Sequence, residues 1–245
     1  MHIARLATVF LIPLTAFCVP ALAQTAVPCG PFTREALPVP EPHPHPYAQQ
    51  RFARVIADIK AQPHRALFLG DSLTEGWPAQ LWQQHMTPRG ILNAGVAGDS
   101  TENLRWRLDH GDLDGLPPQA VIVLIGTNDL GQNRSPELAA EGVRAVLLKL
   151  RERAPNAPIL LLGLLPRGEW PGDNYRLAAT AVNQLIRRCS DGRRIVYAEI
   201  GGTLLDSQGR LTQAMSPDAL HLSPDGYTRL APQLDSLLDR MLSTR

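Results

Sequence analysis

The chain reads as an α/β protein: a doubly wound, flavodoxin-like parallel sheet of five strands with helices on both faces, an α/β/α sandwich. Two observations predict this. Short apolar runs at Ala66 to Leu69, Ile91 to Asn93, Val121 to Ile125, Pro158 to Leu164 and Arg194 to Ala198 alternate with stretches of helical period, the alternation that winds a parallel sheet. Each run also empties into a loop containing glycine or proline, and Val121 to Ile125 lacks polar alternation, as a strand covered on both faces requires. In such a sheet the ligand sits outside the strands' carboxyl ends, so the chemistry is sought in those loops.

Taken in order, residues 1–23 read as a secretory signal peptide. Arg5 supplies the positive start, Leu6 to Phe17 the apolar centre, and Ala21-Leu22-Ala23 a small-x-small cleavage site before Gln24. Pro13 and Pro20 argue against a buried helix there, and Thr15-Ala16-Phe17 before Cys18 is a poor lipoprotein signal. The expected location is secreted or periplasmic. Cys29 and Cys189 then remain in an oxidising compartment that permits a disulfide, although spacing does not say whether they meet. Residues 24–46 form a proline-rich arm in which Pro38, Pro40, Pro42, Pro44 and Pro46 alternate with other residues. Such a run prefers polyproline II, and its His43 and His45 read as part of a solvated linker before they read as a metal pair. Residues 47–245 are expected to be the catalytic domain.

Within that domain Phe52, Val55, Ile56 and Ile59 mark a leading helix from Tyr47 that ends before Pro63. A helix carrying Leu104, Trp106 and Leu108 begins near Asp99 or Ser100. Ser135 as N-cap and Pro136 in the first turn open a long helix to about Arg153. Further helices are expected from about Asp173 to Arg188 and from about Pro224 to Met241. With 245 residues, 44% hydrophobic, the chain can bury one full core. A net charge of +1 without a basic run gives no footprint for nucleic acid, and no apolar stretch after the leader is long enough for stable membrane insertion. Without a Cys-x-x-Cys or clustered histidines, no metal or other cofactor is expected.

Gly70-Asp71-Ser72 follows the first strand at once and presents a small hydroxyl at the sheet edge, which makes Ser72 the candidate nucleophile. A serine hydroxyl is a weak nucleophile at neutral pH until a base takes its proton. Asp218 and His221 stand three apart near the C-terminus, close enough for the carboxylate to hold one imidazole nitrogen while the other faces a serine. Capping of the last helix is the competing reading for that pair. The other histidines lie in the leader, in the arm, or beside turn and charged residues.

Four ordered blocks carry a resemblance: Gly70-Asp71-Ser72, Asn93-x-Gly95-x-x-Gly98-Asp99-x-Thr101, Gly126-Thr127-Asn128, and Asp218-x-x-His221. They resemble the SGNH, or GDSL-type, hydrolases. Trp106-Arg107-Leu108, Gly163 to Gly168 and Val182-Asn183-Gln184-Leu185 extend the similarity to the catalytic subunits of platelet-activating factor acetylhydrolases, over roughly residues 47 to 242. The resemblance implies that Ser72 attacks an ester carbonyl, that His221 is general base and then acid, and that Asp218 orients it. It also implies an oxyanion hole built from the Ser72 and Gly98 backbone N–H groups and the Asn128 amide. Leu73, Thr127 and Leu220, adjoining those residues in sequence, are the candidate acyl-pocket lining. The expected substrate is a small-molecule or saccharide ester with a short acyl group. A lysophospholipase or thioesterase is the alternative within enzymes, and a silent carbohydrate-binding module the alternative outside them. Asp71 and Asp129 read as loop-structuring. Tyr47, Trp77, Trp82 and Trp170 are candidates to line a sugar platform or a lipid groove.

Overall fold

The apolar runs form strands in a computed structural model that describes residues 27–61, 63–114 and 118–243. Strand β1 spans Ala66–Gly70, β2 Ile91–Gly95, β3 Ala120–Leu124, β4 Ile159–Leu162 and β5 Ile195–Ala198. All pairings are parallel, and the order is β2-β1-β3-β4-β5. The chain thus reverses direction across the sheet at β1, with β2 on one side and β3 on the other. Gly70 stands in register between Gly95 and Leu124. Three strands therefore end level, and the loops that follow them converge at the switch point where doubly wound sheets bind ligands.

Eight helices surround the sheet among the described residues: α1 Pro46–Ala61, α2 Ser72–Glu75, α3 Ala79–His85, α4 Thr101–Asp109, α5 Thr127–Gly131, α6 Pro136–Arg153, α7 Asn174–Ile186 and α8 Pro224–Ser243. Successive strand residues point to opposite faces, and here both faces are apolar. Leu67, Leu69, Val121, Val123 and Leu161 join one core with Val55 of α1, Leu104 of α4, Val146 of α6 and Val182 of α7. Phe68, Ile122, Leu124 and Leu160 join a second core with Trp77, Met86 and the α8 residues Leu230 and Leu234. Each fully buried side chain of this size contributes roughly 1.5–3 kcal/mol, so the sheet is clamped from both sides.

Several boundaries differ from the sequence reading. β4 is shorter than Pro158 to Leu164, and Ile125, though buried, lies just past β3. Helices α2, α3 and α5 were not anticipated, because at 4, 7 and 5 residues they are too short to show a period. Trp77 and Trp82 are packing residues, and both also line a cleft with Arg51, His64 and Glu75. Trp77 sits edge-on to Trp82 at 6.2 Å between centroids and lies 4.9 Å from Tyr227. The signal-peptide segment lies outside the described residues. Among those described, no helix is long and apolar enough to cross a membrane.

The arm departs most from expectation, because its described part, though largely exposed, is tied down along the helices. Cys29 is disulfide-bonded to Cys189, with 4.5 Å between their Cα atoms. The Phe32 N–H donates to Glu141 Oε2 at 2.9 Å, Arg105 donates to the Pro38 carbonyl at 3.0 Å, and Asn103 Nδ2 donates to the Glu41 carbonyl at 3.1 Å. Proline removes N–H donors but leaves every carbonyl free to accept, so a proline-rich strand can be held by donors reaching out from helix side chains.

Candidate active site

Ser72 follows β1 directly and opens α2, where Asp71 caps the turn by accepting the Leu73 N–H at 2.9 Å. Its Oγ lies 3.0 Å from His221 Nε2, and His221 Nδ1 lies 2.7 Å from Asp218 Oδ2. The other Asp218 oxygen accepts the backbone N–H groups of Leu220 at 3.0 Å and His221 at 2.7 Å. Partial burial raises the Asp218 pKa, but its hydrogen bonds from the His221 ring and from those two N–H groups hold it below the usual carboxylate value. The helix-capping alternative does not describe this loop. The N-terminal turn of α8 is capped by Ser223, whose Oγ accepts the Gly226 N–H at 3.1 Å, while Asp218 turns inward on its own loop. Ala219, at φ 58°, bends the chain there, and its carbonyl accepts the Gly168 N–H at 2.8 Å. The loop bearing the histidine is thereby fixed to the loop after β4.

The opposite side of the serine is formed by the loops after β2 and β3. Gly98 has φ +87°, a conformation that side chains with a Cβ rarely adopt. A Cβ there would also lie 2.7 Å from His43 Nε2. Asn128 Nδ2 donates one hydrogen to the Asp99 carbonyl at 2.9 Å, which orients the amide and leaves its second hydrogen for another acceptor. Among the described residues, no acceptor pairs with the backbone N–H of Ser72 or of Gly98. On the near side of the loop, the Ala97 N–H donates to Glu75 Oε2 at 2.7 Å. Glu75 in turn accepts the Tyr47 hydroxyl and lies 3.5 Å from Arg51.

Buried charges brace this junction from below. Arg107 pairs with Asp99 at 2.6 Å and Asp112 at 2.8 Å, and Arg134 pairs with Glu102 at 2.5 Å and Asp129 at 2.8 Å. Asp129 also accepts the Thr101 N–H and hydroxyl, which joins the loop after β3 to the start of α4. Burial pushes the carboxyl of Asp71 up to about 7 and those of Asp99 and Asp112 up to about 6, the last two against the pull of Arg107.

The structure thus brings Ser72, Asp218 and His221 together, with Gly98 and Asn128 on adjoining loops. Leu73 is buried beneath the serine turn and Thr127 is buried, with its carbonyl accepting from Arg167 at 2.8 Å. Leu220 is half-buried beside His221. Sequence reading passed over Glu75, quoted Arg107 only within a block of similarity, and read His43 as part of a solvated linker. For Arg107 the signal was a cation spaced to share a helix face with Leu104 and Leu108, a buried place that demands acidic partners. For His43 it was Cys29, since pairing with Cys189 forces the arm to run across the helices.

Residues 68–229 match the GDSL-like Lipase/Acylhydrolase family. Platelet-activating factor acetylhydrolase IB subunit alpha1 of Bos taurus is 35% identical over 192 residues, which cover 78% of this chain and 82% of that one. Among solved structures, a Streptococcus pneumonia protein described as a platelet activating factor superposes with a TM-score of 0.68 at 27% identity, covering 78% of this chain and 92% of its own. A GDSL-like lipase of Bacteroides thetaiotaomicron superposes at 0.65 with 20% identity, covering 79% and 98%. With a match of that extent laid over a serine, histidine and aspartate in hydrogen-bonded series, the chain belongs to the GDSL-like lipase/acylhydrolase family and is a carboxylic ester hydrolase.

Proposed function

We propose that the protein is an exported serine esterase that removes short acyl groups, acetyl foremost, through a covalent acyl-enzyme. The continuous chain from Ser72 Oγ through the His221 ring to Asp218, at 3.0 and 2.7 Å, is the observation that carries this reading. As Ser72 Oγ bonds to the ester carbonyl carbon, His221 Nε2 takes its proton, and Asp218 stabilises the resulting imidazolium. Negative charge moves to the carbonyl oxygen, where the Ser72 and Gly98 N–H groups and the second Asn128 amide hydrogen receive it. His221 then delivers the proton to the departing alkoxide. A water, deprotonated by the same nitrogen, releases the carboxylic acid and restores Ser72. None of these steps needs a cofactor.

Acetyl preference rests on the name of the acetylhydrolase relative; of the candidate lining residues, Leu73 and Thr127 are buried and Leu220 is half-buried beside His221. A saccharide leaving group is favoured by Trp170, which is exposed on the loop after β4, has Arg210 over its ring, and belongs to the loop tied to Ala219 beside His221. An exposed aromatic face of this kind suits stacking on a sugar. Export is supported by the leader-like residues 1–23 and by the Cys29–Cys189 bond, which persists in oxidising compartments.

The test is hydrolysis of an acetyl-to-octanoyl aryl ester series, run beside acetylated oligosaccharides and a lysophospholipid. Acetyl should be fastest, and Ser72→Ala should abolish turnover and organophosphate labelling together. Turnover surviving in Ser72→Ala would remove the serine from the mechanism. Octanoyl preferred over acetyl, with the lysophospholipid cleaved, would assign the protein to lipid hydrolysis instead.

A further inference from the structure

We infer that His43, delivered by the proline-rich arm, is a positioning residue of the oxyanion hole: its imidazole packs on Gly98 and holds that residue in the conformation that aims its N–H at the substrate. This rests on the functional reading above. The arm lies outside the matched family segment, residues 68–229.

Gly98 needs holding. At φ +87° it has no side chain of its own to lodge in a pocket, and its loop is closed by a single long backbone hydrogen bond, Asp99 N–H to the Val96 carbonyl at 3.2 Å. The residues around it are gripped from three sides. Glu75 accepts the N–H of Ala97, and Asn128 donates to the carbonyl of Asp99. His43 supplies the third grip, on Gly98 itself: its Nε2 would stand 2.7 Å from a Cβ at that position, so the ring packs directly on the Gly98 backbone.

The tautomer suits the task. His43 Nδ1 accepts the His45 N–H at 3.1 Å, so in the neutral ring Nε2, the ring atom nearest Gly98, bears the hydrogen. Burial, assisted by His45, lowers the His43 pKa against the opposing influence of Gly98 and Glu102, which favours the neutral ring near pH 7. The ring's position is fixed in turn. Gln49 of α1 donates to the His43 carbonyl at 3.1 Å, and Asn103 donates to the Glu41 carbonyl two residues earlier. Asn103 is also the residue whose Oδ1 accepts the N–H and hydroxyl of Ser100, two residues after Gly98. One side chain thus sets the arm and the oxyanion loop in a common frame.

The experiment measures kcat and KM on an aryl acetate for His43→Ala and His43→Gln, per active site titrated with an organophosphonate so that unfolded molecules do not count. Glutamine places an N–H close to the imidazole Nε2 position without titrating near neutrality. Positioning of a transition-state donor predicts that His43→Ala lowers kcat by about tenfold with KM little changed, and that His43→Gln recovers most of the loss. Unchanged kcat in His43→Ala overturns the inference, as does a rise in KM alone, which would make His43 a substrate contact. Failure of glutamine to restore kcat overturns it too. Ser72→Ala in the same assay separates the two levels. If that variant is inactive while His43→Ala is normal, only the role of His43 falls. If Ser72→Ala remains active, the esterase mechanism falls and this inference with it.

Discussion

Asp71 should make the protein lose stability as pH rises, and Asp71→Asn should remove that loss. The residue is 1% exposed; one oxygen accepts the Leu73 N–H at 2.9 Å and the other has no hydrogen-bond partner among the described residues. Burial is the first cause of its raised pKa, and the Leu73 hydrogen bond that opposes it is outweighed with the help of Asp99 and Asp129. The folded-state value is about 7 against an ordinary 3.8, so between those limits the native protein keeps a proton that the unfolded chain has released. Stability contributed by a group shifted this way is whole below the unfolded pKa and is lost as pH climbs to the folded one. At about 1.4 kcal/mol per pH unit the loss comes to roughly 4 kcal/mol. Asparagine keeps the shape and the acceptor for Leu73 but has no proton to lose. Urea unfolding of both proteins at about pH 4.5, 6 and 8 reads the effect as a difference, in which the other titrating groups cancel. The variant should gain progressively on the wild type toward pH 8, with only a small gap at pH 4.5. Parallel stability profiles, or a gap that opens toward acid, would refute a buried, proton-holding Asp71.

Two further outcomes follow from the site and the arm. Asn128→Ala should lower kcat by about 10²–10³ with KM little changed, since a contact to the developing oxyanion tightens only in the transition state; steady-state kinetics on an aryl acetate checks this, and near-normal kcat in a folded variant takes the amide out of the hole. Replacing Cys29 with serine opens a loop closed across 160 residues, worth roughly 5 kcal/mol in the chain-entropy model; guanidinium unfolding of the oxidised protein should show a higher midpoint than that of the variant, and equal midpoints would contradict it.

The sheet was legible because its strands are covered on both faces and therefore stand out as unbroken apolar runs between helical periods. Ser135 and Pro136 fixed the start of α6 to the residue, because N-cap and first-turn chemistry are local. Ser72, Asp218 and His221 were legible for a different reason, as short motifs whose order and spacing carry the information. The arm was not legible, because its hydrogen bonds come from donors on distant helices, such as Asn103 and Arg105, that no local pattern connects to it. Trp77 and Trp82 were open to a surface reading for the same reason: an aromatic residue shows whether it is buried only when its partners, here Phe68 and Tyr227, are in place.

The buried charges bear on how the oxyanion is held. A hole made of neutral donors works only if no uncompensated anion sits beside it, yet Asp71, Asp99 and Asp129 all lie within two residues of Ser72, Gly98 or Asn128. The fold meets this in two ways. Asp99 and Asp129 are each paired with an arginine that also faces a second carboxylate, Asp112 or Glu102, so one negative charge is matched in each cluster, and burial, which raises the pKa of Asp99, Asp112 and Asp129, disfavours the surplus one. Asp71 has no cation, and burial keeps it protonated up to about neutral pH instead. In the mechanism proposed above, the backbone N–H groups and the Asn128 amide are then the groups that answer negative charge developing next to Ser72.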